Sequence, residues 1–117
     1  MRESDATTLR QFHVPLVLVI GGSAKLVRTV QQAGLTAQVL VESCAAAEGT
    51  AQAARMHPLV LVLPERIYAL DPESYEHLAR DVRGSVLRIS RDDVGSGELA
   101  QRLGALAAAA EQKRGSW

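Results

Sequence analysis

Two short apolar runs constrain the fold of this chain more than any other feature. They are LVLVI at residues 16–20 and LVLVL at residues 59–63, and neither contains a polar residue. A strand with one solvated face alternates polar and apolar residues, so both runs predict strands that are buried on both faces. Such strands are typical of a parallel sheet covered by helices, and a chain of 117 residues has room for one domain of that kind.

Two helices are marked by their end signals. Ser23 can cap a helix that begins after the first run, and Gly34 stands where such a helix commonly ends. The clearest helix has Asp71 as N-cap, Pro72 at the first helical position and Gly84 after the last turn. Both segments carry apolar residues at three- and four-residue spacing, which predicts one buried face on each helix.

The remaining segments complete an alternation of strands and helices. Residues 37–41 and 85–89 predict further strands, and Arg88 places the second of them at a sheet edge. A helix that begins at residue 45 or 50 and another over residues 98–113 fill the gaps. This alternation predicts an α/β domain over residues 14–113, a three-layer sandwich with four or five parallel strands in the flavodoxin-like order 2-1-3-4. Residues 1–13 are a polar arm and residues 114–117 a tail.

Composition excludes several classes of function. Thirteen basic and thirteen acidic residues give no net charge, and aromatic residues make up 3% of the chain, which argues against a nucleic-acid partner. The apolar runs are too short for membrane insertion, and the first residues lack the apolar core of a secretory signal. With a single cysteine no internal disulfide forms, so we expect a cytoplasmic protein.

The carboxyl ends of the predicted strands are where a ligand would bind, because doubly wound sheets place their sites there. Backbone N–H groups at a helix N-terminus can bind an anion, although the glycines here lack the spacing of a dinucleotide or P-loop motif. The simpler interpretation is a tight turn between strand and helix. The candidate ligand-binding residues are Gly21, Gly22, Ser23, Lys25, Glu65 and Ser90.

The chain resembles the receiver domains of two-component response regulators over residues 14–110. The resemblance rests on the order of elements and on three segments, VLVIGGSAKLVRTVQQAGL, HPLVLVLPE and GELAQRLGALAAAA. Receivers hold a magnesium ion with two acidic residues after the first strand, because magnesium prefers oxygen ligands. They are phosphorylated on an aspartate at the end of the third strand. A hydroxyl residue and a lysine end their fourth and fifth strands.

Most of these receiver positions hold other residues in this chain. The acidic pair is replaced by Gly21 and Gly22, and the phospho-acceptor by Pro64, with Glu65 next to it. Ser90 matches the hydroxyl position, but no lysine stands at the last one, and the fifth strand is missing or merged with residues 85–89. The resemblance therefore implies a degenerate pseudo-receiver that is not phosphorylated by the receiver mechanism.

Other reactive side chains give weak signals. Cys44 lies near a possible helix start, where a thiolate is favoured, but its small apolar neighbours favour a partly buried structural cysteine. His13, His57 and His77 do not have the spacing of a metal site, and no catalytic triad or carboxylate pair is visible. We expect no catalytic residues, no metal and no cofactor.

These observations favour a non-catalytic domain that acts by protein–protein contact in bacterial signalling or cell organisation. Its partner is another protein or a second copy of the chain, and the edge of the strand at 85–89 or the alanine-rich closing helix is the candidate contact face. The alternatives are a sensor of a nucleotide or other small anion at residues 21–25 and a thiol enzyme that uses Cys44.

Overall fold

The computed structural model describes residues 15–90 and 95–115. The predicted arm at residues 1–13 and the last two residues of the predicted tail lie outside this part of the chain. Within it, strands and helices alternate as the sequence predicts. The elements are β1 (Leu16–Ile20), α1 (Ala24–Ala37), β2 (Leu40–Cys44), a 3₁₀ turn (Ala46–Glu48), α2 (Gly49–Met56), β3 (Val60–Pro64), α3 (Glu65–Tyr68), α4 (Pro72–Val82), β4 (Ser85–Ile89) and α5 (Ser96–Gly115).

The four described strands form one parallel sheet in the order β2-β1-β3-β4. The α/β class, the parallel pairing and the order 2-1-3-4 are therefore confirmed, and they are compatible with a flavodoxin-like fold. β4 is an edge strand, as its arginine predicts, and β2 is the other edge. β1 and β3 lie in the centre, which explains why their sequences carry no polar residue.

Alternate residues of the central strands enter two separate cores. Val17 and Val19 face α1 and α5, whereas Leu18 and Ile20 face α2, α3 and α4. We call these the α1/α5 core and the α2/α4 core. None of the buried side chains in the described ranges is polar or charged. The sheet therefore separates two apolar layers and has no solvated face at its centre.

The end of α1 differs from the prediction, because Gly34 does not stop the helix. α1 continues to Ala37 and ends where Gln38 adopts a left-handed conformation with φ of 62°. Gly34 is needed for close packing instead: a Cβ there would lie 2.6 Å from Cγ2 of Val41 and 3.1 Å from the carbonyl oxygen of Val39. β2 consequently begins at Leu40, three residues after the predicted start.

The predicted ends of α4 are confirmed. The Asp71 carboxylate accepts a hydrogen bond from the Ser74 amide at 3.3 Å, and Pro72 is the first helical residue. At the other end Arg83 is left-handed, and the Gly84 amide donates to the Ala79 carbonyl at 2.8 Å.

Two further differences concern β3 and the segment that follows it. The strand lies one residue later than predicted, at Val60–Pro64. The short helix α3 follows it directly, in a segment to which the sequence pattern assigns neither a helix nor a strand. A four-residue helix is too short to show a periodic apolar pattern, so no periodicity indicates it.

Candidate functional site

The glycine turn after β1 lies at the carboxyl edge of the sheet, where the sequence predicts a ligand site. Gly21 is left-handed, with φ of 73°, and its amide donates to the Cys44 carbonyl at 2.9 Å. A residue with a side chain is strained in this conformation, so a glycine is favoured there. The turn thus ties the end of β1 to the end of β2.

Apolar side chains pack closely beside this half-buried turn. A Cβ on Gly21 would lie 3.2 Å from Cγ1 of Ile67 in α3 and 3.3 Å from Cβ of Ala46 in the 3₁₀ turn. A Cβ on Gly22 would lie 2.8 Å from Cγ1 of Val19. Close packing therefore accounts for both glycines without a ligand.

Ser23 acts as the N-cap of α1, as predicted. Its hydroxyl oxygen accepts a hydrogen bond from the Leu26 amide at 3.1 Å, and its carbonyl accepts one from the Val27 amide at 2.9 Å. The hydroxyl thereby satisfies one of the first amides of the helix, which are the groups that would bind an anion.

The other predicted site residues are distributed between two places. Glu65 and Ser90 directly follow Pro64 and Ile89, which are paired in neighbouring strands, so both lie at the carboxyl end of the β3–β4 pair. Lys25 lines a groove between α1 and β2 instead. The structure therefore brings Glu65 and Ser90 to one end of the sheet and associates Lys25 with a different surface.

Glu65 already has a cationic partner. Its carboxylate accepts two hydrogen bonds from the Arg88 guanidinium, from Nε at 3.0 Å and from Nη2 at 2.8 Å. The same guanidinium lies over the ring of Tyr68, 4.3 Å from its centroid, and the Tyr68 hydroxyl donates to Glu76 at 2.7 Å. These contacts fasten α3 between β4 and α4.

Sequence reasoning missed this cluster, which we call the Arg88 cluster: Glu65, Tyr68, Glu76 and Arg88. Its members come from three elements, and only the pairing of β3 with β4 brings Arg88 next to Glu65. The single useful signal was the arginine in an otherwise apolar strand. The hydrogen bond to Glu76, with burial as a smaller cause, raises the pKa of the Tyr68 hydroxyl, and the Glu65 carboxylate raises the pKa of Arg88.

Cys44 ends β2 and packs against the α2/α4 core. Burial raises the pKa of its thiol, and the negative charge of Glu48 raises it further. A nucleophilic cysteine needs the opposite shift, because the thiolate is the reactive form. The side chain therefore suits a structural role better than catalysis.

Metal-binding and membrane-spanning features are absent from the described ranges. No cluster of three histidine, cysteine, aspartate or glutamate side chains there could hold a metal ion. None of the described helices is both long and apolar enough to cross a bilayer.

A groove with apolar side chains in its lining lies between α1 and β2. Its volume is about 650 Å³. Leu35 lines it with 81% of its surface exposed, and Lys25 and Arg28 are its cations. We call it the α1–β2 groove, and its lining residues are Lys25, Arg28, Thr29, Gln31, Gln32, Leu35, Val39, Leu40 and Val41.

Comparison with known protein families, with curated proteins and with solved structures gives no match for this chain.

Proposed function

We propose that this chain is a non-catalytic, receiver-like signalling or scaffolding domain that acts by binding another protein. The observation that carries the proposal is the close packing of Ile67 and Ala46 beside the half-buried Gly21. The resemblance assigns the magnesium-binding acids to this turn. Apolar side chains in contact distance of the turn provide neither oxygen ligands nor a polar surrounding for the ion.

The surroundings of Pro64 support the same proposal. Pro64 stands where the resemblance assigns the phospho-acceptor, and the adjacent Glu65 is held in a two-pronged interaction by Arg88. Both oxygens of the Glu65 carboxylate accept hydrogen bonds from the guanidinium, so Glu65 is a poor substitute for the missing aspartate.

A phosphorylation assay tests the non-catalytic part. The full chain is incubated with magnesium and acetyl phosphate, and its intact mass is measured; calorimetry with magnesium and beryllium fluoride is the second measurement. We expect no added phosphoryl group and no binding heat. A stoichiometric mass increase that disappears in the Glu65→Gln variant would contradict the proposal and identify Glu65 as the acceptor.

An affinity capture experiment tests the interaction part. The full chain is used as bait in a lysate of its source cells, and we expect one or more proteins to be enriched reproducibly over a control bait. Repeated capture with no enriched protein, under conditions in which the bait is folded, would contradict a function in protein binding.

The competing hypothesis is an anion sensor at residues 21–25, and one observation favours it: the first turn of α1 contains no acidic residue. The capping hydrogen bond to Ser23 and the apolar packing beside the turn are evidence against the anion sensor. A thermal-shift screen with nucleotides and other phosphate compounds decides between the two. A raised melting temperature that is lost in Lys25→Ala would favour the sensor.

A further inference from the structure

The outer edge of β2 is the least covered strand edge in the described part of the chain. β2 pairs with β1 on one side, and no described strand pairs with its other side. None of its five residues is fully buried, and Leu40, Glu42 and Ser43 are exposed. An edge of this kind presents unpaired backbone N–H and C=O groups to which an extended segment can bind.

The opposite edge, β4, is better protected. Leu87 and Ile89 are buried in the α1/α5 core, and Arg88 lies over Tyr68 on the other face. A strand added to β4 would have to pack beside this charged and already paired side chain. β2 is therefore the better edge for strand addition, which differs from the expectation of a contact face at residues 85–89.

The groove beside β2 indicates the chemistry of the segment. Among the described residues, the charged side chains that line it are Lys25 and Arg28, both cations, and none is acidic. Leu35 adds apolar surface in the same groove, whereas the exposed Leu40 lies on the other face of β2, which it shares with Cys44. A complementary segment would combine acidic side chains with apolar ones.

A second copy of the chain fits this surface poorly. If two β2 edges paired antiparallel about a twofold axis, both α1 helices would lie on one face of the joined sheet. The two α1 helices would run in opposite directions, so Lys25 and Arg28 of one copy would lie opposite the carboxyl-terminal half of the other α1, which contains no acidic residue to pair with them. The first fourteen residues carry two arginines and two acidic residues, so charge does not favour them as the occupant either.

We propose that an extended acidic segment of a partner protein binds to β2 as a fifth strand of the sheet and places its side chains in the α1–β2 groove. This inference rests on the proposed function in protein binding and names the surface and the class of partner. The backbone of β2 provides the hydrogen bonds, and Lys25, Arg28 and Leu35 select the sequence.

The test is a selection of random linear peptides on the immobilised full chain, followed by amide NMR mapping of the selected peptides. We expect peptides that alternate apolar and acidic residues, with amide shift changes in β2 and α1. The Lys25→Glu/Arg28→Glu variant should weaken binding by about tenfold or more. Both side chains are exposed, so the variant keeps the fold. Arg102→Glu, an exposed charge reversal on α5, is the matched control and should leave binding unchanged.

Backbone pairing is tested by methylating alternate amide nitrogens of a selected peptide. The change keeps its charges and removes its hydrogen-bond donors, so a peptide that adds a strand should lose binding when the inward-facing amides are methylated. Methylation of the outward-facing amides should leave binding unchanged, whereas binding that survives methylation of each set in turn would contradict strand addition.

The remaining outcomes separate this inference from the proposed function. Peptides that map to β4 or α5, basic peptides, or binding that survives the double charge reversal would overturn the docking surface and leave a protein-binding function intact. If a Leu9→Ser/Phe12→Ser variant selects peptides and the unchanged chain selects none, the first residues of the chain occupy the groove, and the proposal is overturned. Failure to select any peptide would overturn it too, whereas the lysate capture decides the general function independently.

Discussion

At the scale of single residues, the Arg88 cluster shows how one charged side chain is accommodated in an apolar strand. Arg88 directs its guanidinium to Glu65 and lies on the face of Tyr68, so its charge is paired and partly covered by an aromatic ring. Tyr68 in turn donates to Glu76. The cluster connects α3 with α4 and β4 and holds the segment that packs beside the glycine turn.

The two tyrosines of the chain give a prediction for high pH. Both tyrosines, Tyr68 and Tyr75, have pKa values raised above the usual value of about 10, the first by its hydrogen bond to Glu76 and the second by burial. We expect an ultraviolet titration of the folded chain to show phenolate forming at higher pH than in the denatured chain. Glu76→Gln should lower the pKa of Tyr68, because it removes the negative charge beside the hydroxyl.

The same shifts determine the sign of the pH dependence of stability. The denatured tyrosines release their protons first, so the stabilisation is fully present below pH of about 10 and is lost as the pH rises through the folded pKa values. Denaturant unfolding across this range should show a falling free energy of unfolding. Tyrosines that titrate together at the usual pKa in the folded chain would contradict this account.

Cys44 gives a second prediction at this scale. Because its thiol is partly buried and its pKa is raised, iodoacetamide should alkylate it more slowly in the folded chain than in the denatured chain at the same mildly alkaline pH. Mass spectrometry follows the reaction. Faster alkylation in the folded chain would indicate an activated thiol and revive the enzyme hypothesis.

At the scale of elements, two helical glycines should respond to alanine in opposite directions. Gly34→Ala gains helix propensity of about 1 kcal/mol, but its Cβ would meet Val41 and the Val39 carbonyl, and overpacking of this kind costs about 1–3 kcal/mol. We expect a net loss of stability. For Gly104 in α5, no described atom outside its chain neighbours and its own helix backbone lies within 4 Å of the new Cβ, so Gly104→Ala should stabilise the chain by about 0.5–1 kcal/mol.

Thermal or denaturant unfolding of the two variants measures both effects. A stabilised Gly34→Ala variant would show that α1 and β2 can move apart at no cost, which is contrary to the packing described for this helix.

The contrast between these glycines also shows what the sequence could and could not predict. Element order, both central strands and the caps at Ser23 and Asp71 were predictable, because apolar runs and capping residues act locally. The continuation of α1 through Gly34 was not, because the reason lies in β2 and not in the helix itself. The packing beside Gly21 was not predictable for the same reason, because it depends on Ile67, a residue distant in sequence.

At the scale of the whole molecule, the sheet joins two cores that share β1 and β3. Leu61 is fully buried in the α2/α4 core and Leu103 in the α1/α5 core. Either residue changed to alanine should cost about 2–5 kcal/mol of the free energy of unfolding, because each leaves a cavity in an apolar layer.

Loss of one core should also unfold the other. In a denaturant titration followed by methyl NMR, signals of Leu18 in one core and Leu26 in the other should disappear at the same midpoint, in both variants. Separate midpoints would mean that the two layers are independent folding units.

The two-sided burial of β1 and β3 has a consequence for the chain before it folds. Leu16–Ile20 and Val60–Pro64 are uncharged segments of high β-propensity, the kind that stacks between chains when it is exposed. Prolines flank both: Pro15 precedes β1, Pro58 stands shortly before β3, and Pro64 ends it. Residues that cannot donate a backbone hydrogen bond interrupt the growth of such stacks, so these prolines act as gatekeepers against aggregation of the newly made chain.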